Sequence, residues 1–128
     1  MQILGNILLV GAGGFVGSAA RYAVSLWIKG AGSEFRWPVA TFLVNLLGAV
    51  LIGFLWGRAA QAAEPRLWLT LGIAGFCGGF TTFSAFSFEV LELLRAGDWG
   101  LGLLYVAASV VFCVGGACCG LALAKVCG

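Results

Sequence analysis

Three groups of polar residues stand inside otherwise apolar stretches of this chain, and their spacing suggests ion chemistry. The first reads Gly75-Phe76-Cys77-Gly78-Gly79-Phe80-Thr81-Thr82-Phe83-Ser84-Ala85-Phe86-Ser87. Paired glycines beside paired threonines favour local unwinding of a helix. Backbone carbonyls freed there can coordinate a cation, and the N-terminus of the following half-helix can face an anion. Phe83 and Phe86 are three residues apart, so their rings can share a face. The edge of a phenyl ring is electropositive, and an anion can meet it without a formal counter-charge. Thr82 and Ser87 place hydroxyls nearby. Ordinary packing of phenylalanines explains the same spacing.

The second group is Thr41 and Asn45, four apart and hence on one helical face. Asn45 is flanked by Phe42, Leu43, Val44, Leu46 and Leu47, and its amide offers two donor hydrogens and an acceptor oxygen. Chemistry alone leaves it as either an interhelical hydrogen bond or a pore donor. The third group, Tyr105, Ser109 and Cys113, repeats every four residues and forms one stripe. Its hydroxyls suit an anion or bridging waters, or equally a polar seam between helices. Arg21 follows the glycine-rich Gly11-Ala12-Gly13-Gly14. A guanidinium there needs an anion, carbonyls or a water-filled vestibule, unless it snorkels to the interface.

The elements that must position these groups are membrane helices. Of 128 residues, 62% are hydrophobic and 9% charged, against roughly 25% charged in a soluble domain. Four apolar runs stand out, at 3–20 (continuing past Arg21 to Ile28), 38–57, 67–88 and 99–124. A spanning helix needs about 20 predominantly apolar residues. The expected fold is all-α, a single domain over 1–128, with helices at about 3–28, 38–58, 67–95 and 99–125 and the third broken mid-membrane. Trp27, Trp37, Trp56, Trp68 and Trp99 fall near run ends, as interfacial aromatics do. Gly13/Gly17, Gly53/Gly57, Gly75/Gly79 and Gly116/Gly120 have the spacing that lets helices approach closely in lipid. No basic n-region precedes the first run, so a cleaved leader is not expected.

Basic residues do not set an orientation. Arg58, Arg66 and Lys125 fall on one side of the bilayer and Lys29, Arg36 and Arg95 on the other, three against three. Lys/Arg asymmetry normally fixes topology. Its absence suggests insertion both ways and antiparallel self-pairing. Four helices alone make a thin bundle, and a homodimer is expected.

At these residues the sequence resembles the Fluc/CrcB fluoride channels. Three blocks carry the resemblance: Gly13-Gly14-Phe15-Val16-Gly17-Ser18-Ala19-Ala20-Arg21-Tyr22, then Pro38 through Thr41 to Asn45 and Gly48, then Gly75 through Ser87. The resemblance implies passive fluoride export across the bacterial inner membrane by an antiparallel, dual-topology homodimer with two pores. It implies a structural sodium ion at the dimer centre, held by backbone carbonyls that map onto Gly78 and Thr81. Asn45, Phe83 and Phe86 map onto the pore. Thr82, Ser87, Tyr105 and Ser109 map onto its polar track, Thr41 stands among the pore residues, and Arg21 maps onto the vestibule. Two positions depart from the pattern. Many relatives carry Thr where Ala85 stands and Ser where Cys113 stands, and a thiol is a weak donor.

Other classes fit less well. A proton-coupled multidrug exporter needs an acid in the first helix, where this chain has Arg21 and no acid. A scaffold without transport leaves the polar third run unexplained. There is no His, no nucleophile–base pair and no phosphate loop, so an enzyme is not expected. Five cysteines without a C-x-x-C pair read as small apolar filler rather than a zinc site.

Overall fold

A computed structural model describes residues 1–32 and 37–128. Ser33, Glu34, Phe35 and Arg36 lie outside the described residues, and with them Arg36's place in the charge count. The described chain is helical: α1 (Gln2–Gly30), α2 (Val39–Ala59), a π-wound segment (Trp68–Cys77), the short turn α3 (Gly78–Phe80), α4 (Phe83–Arg95) and α5 (Trp99–Val126). Four apolar spans result, of 29, 21, 28 and 28 residues, the third running from Trp68 to Arg95. Each exceeds the length needed to cross the hydrocarbon core. The chain is a multi-pass membrane protein.

Within the third span the helix stops at Phe80 and restarts at Phe83. Thr81 and Thr82 between them are extended, with φ/ψ of −82°/158° and −150°/117°. The restart is capped locally, because the Thr82 hydroxyl accepts the Ala85 N–H at 3.2 Å.

Glycine faces set the packing. α1 lies on the π segment and α3, while α2 lies on α5. A Cβ on Gly13 would strike the Leu71 carbonyl, one on Gly17 the Phe76 carbonyl, and one on Gly79 the Gly14 carbonyl. Likewise Gly53 lies against the Ala117 carbonyl and Gly120 against the Val50 carbonyl. Backbone therefore meets backbone in both pairs. In lipid, where apolar burial does not drive association, such close van der Waals contact holds helices together.

The outer surface is apolar. Ile3, Phe15, Trp27, Leu103 and Val111 are among many large side chains facing outward. In water this would mark an aggregating surface, and in a bilayer it is solvated by acyl chains. The buried set is small in volume, led by Val44, Cys77 and Tyr105, with Thr41 and Ser109 as buried polar members. Those two polar residues lie on α2 and α5, the pair that frames the site.

Candidate functional site: a cleft at the interrupted span

The two extended residues leave backbone groups without helical partners, and side chains from two other helices supply replacements. In an unbroken helix the Thr82 N–H would bond the Gly78 carbonyl. Instead it donates to Asn45 Oδ1 at 2.8 Å, while Asn45 Nδ2 donates to the Thr82 carbonyl at 3.1 Å. The Asn45 amide thus pairs with both backbone groups of one residue, as a neighbouring strand would. The Gly79 carbonyl, whose helical donor would be Phe83, accepts from Arg21 Nε at 3.0 Å and from Ser18 Oγ at 3.4 Å. The Cys77 carbonyl takes both the Thr81 N–H and the Thr81 hydroxyl, at 2.9 and 2.8 Å. Of the environments open to Arg21 in the sequence, carbonyl coordination is the one its Nε adopts.

Two cavities flank this repair. One, of about 480 Å³, runs along α2, the third span and α5. Asn45, Gly78, Thr81, Thr82, Phe83, Phe86, Ser109 and Cys113 are among its lining residues. The other, of about 230 Å³, is polar and holds Ser18, Arg21, Ser25, Thr41 and Thr82 in its wall. Thr82 belongs to both, so the interrupted backbone is the partition between them.

The aromatic rings form a ladder. Phe83 and Phe86 stand 5.6 Å apart at 42°, and Phe86 and Tyr105 stand 5.1 Å apart at 54°. Phe83 is 78% exposed on the single chain and projects from the open side of the cleft. Ser109 lines the same cleft, and its hydroxyl is buried without a hydrogen-bond partner.

A residue to which the sequence assigned no role organises the next level. Glu89 accepts from the Thr41 hydroxyl at 2.5 Å and from the Tyr105 hydroxyl at 2.8 Å, one donor on each carboxylate oxygen. The third apolar run ends at Phe88, where the first charge appears, so Glu89 falls outside it. It lies within the helix, which continues to Arg95 as expected. The available signal was the three-residue spacing Phe83, Phe86, Glu89, which puts the acid on the aromatic face.

Ser87 is not brought into the cleft. Its hydroxyl donates back to the Phe83 carbonyl at 2.8 Å, the i−4 bond a helical serine makes when no better partner is near. The other residues singled out in the sequence are assembled: Asn45, Phe83, Phe86, Thr82, Ser109, Gly78 and Thr81 at the large cleft, Thr41 and Tyr105 on Glu89, and Arg21 in the polar cavity.

A family model described as CrcB-like protein, Camphor Resistance (CrcB), matches residues 8–121. The chain belongs to the CrcB-like family. Several curated relatives of this CrcB-like chain share one name. It is similar to the "Fluoride-specific ion channel FluC" of Chlorobaculum tepidum, 48% identical over 131 residues that cover 97% of this chain and 98% of the relative. The protein of that name from Chlorobium phaeobacteroides strain BS1 is 45% identical, covering 93% and 92%. The one from Rhizobium meliloti is 43% identical, covering 95% and 98%.

The paired bonds of Asn45 make its chemistry testable without any transport assay. In Asn45→Asp a carboxylate oxygen replaces Nδ2 and faces the Thr82 carbonyl, acceptor against acceptor. Loss of the bond and exposure of a buried acceptor should cost about 1–3 kcal/mol. Thermal unfolding of the purified protein reads this, and an unchanged midpoint for Asn45→Asp would show that the bridge does not hold the backbone.

Proposed function

We propose that this CrcB-like chain forms a fluoride-selective channel that lets fluoride leave the cell passively across the inner membrane. It is a conduit and not an enzyme. The observation that carries the proposal is the composition of the large cleft: ring edges and neutral hydrogen-bond groups, with Asn45, Thr82, Phe83, Phe86 and Ser109 together and no basic side chain among its lining residues. The relatives' name supplies the ion.

The physics favours such a lining. Fluoride is small and strongly hydrated, so removing its water needs several close donors at once. A fixed positive charge in a low-dielectric path would hold the ion too tightly for release. Neutral donors and quadrupole edges are individually weak. Acting in series, they replace hydration without trapping the ion. Arg21, kept in the neighbouring cavity with its Nε on the Gly79 carbonyl, raises the local anion concentration without binding inside the path. Beyond the rings, Thr41 and Tyr105 offer hydroxyls that the Glu89 carboxylate accepts in this structure. An anion using those donors displaces the carboxylate from them, so Glu89 competes with the permeant ion.

The functional unit in this proposal is an antiparallel homodimer of dual topology. Support comes from the three-to-three count of basic residues, from Phe83 projecting off the single chain, and from a cleft left open on one side. The same reading gives a structural sodium ion at the dimer centre, with the Gly78 and Thr81 carbonyls as ligands. The residues fit that group. The helical donors to those two carbonyls would be the N–H groups of Thr82 and Ala85. Asn45 and the Thr82 hydroxyl take them instead. Neutral oxygens freed in this way suit a hard cation, and two chains would supply four. Bound there, sodium would supply positive charge where four carbonyl dipoles converge.

Three outcomes follow. Purified protein in liposomes should release trapped fluoride, and Phe83→Ile or Phe86→Ile, which keep bulk but lose the quadrupole, should cut that flux at least about tenfold. Flux in both variants equal to the parent would place the path elsewhere. In intact cells a C-terminal tag should be labelled from both sides of the membrane, and one-sided labelling ends the dual-topology reading. Exchange of sodium for N-methylglucamine should lower flux or dissociate the dimer, whereas indifference of both would remove the cation from the scheme.

A further inference from the structure

The ring ladder does not stop at Tyr105. Trp37 lies against the Tyr105 ring at 5.9 Å and 71°, edge to face, and against Phe42 at 5.6 Å and 73°. Phe83, Phe86, Tyr105 and Trp37 therefore form one continuous series, each ring in contact with the next. It starts in the large cleft and ends just before α2, whose first residue is Val39. Asn45 lies six residues, about 9 Å, into that helix.

The indole N–H of Trp37 is buried and has no hydrogen-bond partner. A buried donor left unpaired costs about 1–3 kcal/mol. An indole nitrogen is a donor only, so it needs an acceptor, and an anion is the strongest kind. An interfacial tryptophan serving as a membrane anchor directs its N–H to water and headgroups. Trp37 does not, since the nitrogen is covered. Thr41 and Asn45 follow four apart on α2, and Trp37 precedes that helix. Thr41 and Asn45 already have partners in Glu89 and Thr82. Trp37 Nε1, like the Ser109 hydroxyl at the cleft end, does not.

We infer that Trp37 Nε1–H is an anion-binding donor at the outer end of the fluoride path. It receives the ion after the Thr41–Tyr105 level and holds it before rehydration. This rests on the channel reading above. It adds a station that neither the polar groups of the sequence nor the relatives' name specifies. An orphaned donor at each end of a ladder of ring edges gives the ion a hydrogen bond where it enters dry surroundings and another where it leaves them. Glu89, between them, repels an ion that lingers and favours its transfer to Trp37.

Nitrogen-15 spectra of the labelled, reconstituted dimer test this directly. The chain has five tryptophans, and Trp37→Phe identifies the Trp37 indole resonance by its loss. Titration with sodium fluoride should shift that resonance saturably, and sodium chloride at equal ionic strength should leave it in place. In liposomes Trp37→Phe keeps a ring against Phe42 and Tyr105 but removes the donor. It should lower fluoride efflux about tenfold, the factor one hydrogen bond to an ion contributes, at an unfolding temperature no lower than the parent's. A Trp37 resonance indifferent to fluoride, a shift shared by all five indoles, or parental efflux from Trp37→Phe overturns the inference. A parent that passes no fluoride overturns the channel reading instead, and the two failures are told apart.

Discussion

Two residues of extended backbone in a membrane span are the constraint on which the rest of this structure depends. In hydrocarbon no water can satisfy an orphaned N–H or carbonyl, and each such group costs several kcal/mol. The interruption at Thr81 and Thr82 orphans several at once. It persists because Asn45 reaches in from α2, Arg21 and Ser18 reach in from α1, and the threonine side chains close locally on the Cys77 carbonyl and the Ala85 N–H. Polar residues in three spans are thereby tied to one point. Removing Asn45 leaves both backbone groups of Thr82 without that partner, and removing Arg21 leaves the Gly79 carbonyl only the longer bond from Ser18.

The glycines serve the same constraint. Arg21 and Ser18 reach the Gly79 carbonyl from one turn beyond Gly14 and Gly17, and α1 comes this close because Gly17 and Gly79 have no side chain at the contact. A methyl group at either would strike a carbonyl and push α1 away from the interruption. Gly48, one turn below Asn45, does the same on α2, since a Cβ there would collide with the Thr81 methyl. Close helix approach in this chain thus positions hydrogen-bond donors as well as gaining dispersion contact.

How much of this was legible in the sequence follows from the physics of each residue. Four spans were readable because apolar runs of about 20 residues have few other uses. The helix-breaking character of Gly78-Gly79-Phe80-Thr81-Thr82 was readable from backbone propensity. The partner of Asn45 was not, because its contact lies 37 residues away in sequence and depends on how α2 packs on the third span. Arg21 carried the same ambiguity until its carbonyl was placed. Glu89 lay inside the expected helix 67–95, but its partners Thr41 and Tyr105 come from neighbouring helices that the sequence alone does not bring together. Ser87 is the converse case: a hydroxyl at a suggestive position is bonded within its own helix in the single chain.

The arrangement also explains why structure and ion path are hard to separate in this fold. Thr82 stands in the wall of both cavities, and its backbone is held by Asn45. An interruption is needed to bring a helix start, with Phe83 and Phe86 in its first turn, to the depth of the cleft. In a continuous helix the Thr82 hydroxyl would turn back on its own i−4 carbonyl as Ser87 does, and the Asn45 amide would lose the extended backbone it pairs with. The donors that could replace water around an anion are thus available only because the backbone is broken, and the break survives only because the same donors hold it. In the proposed channel, substitution at Asn45 therefore acts on stability and on the path together. Substitution at Phe83, whose exposed ring bonds nothing in the backbone repair, leaves that repair intact.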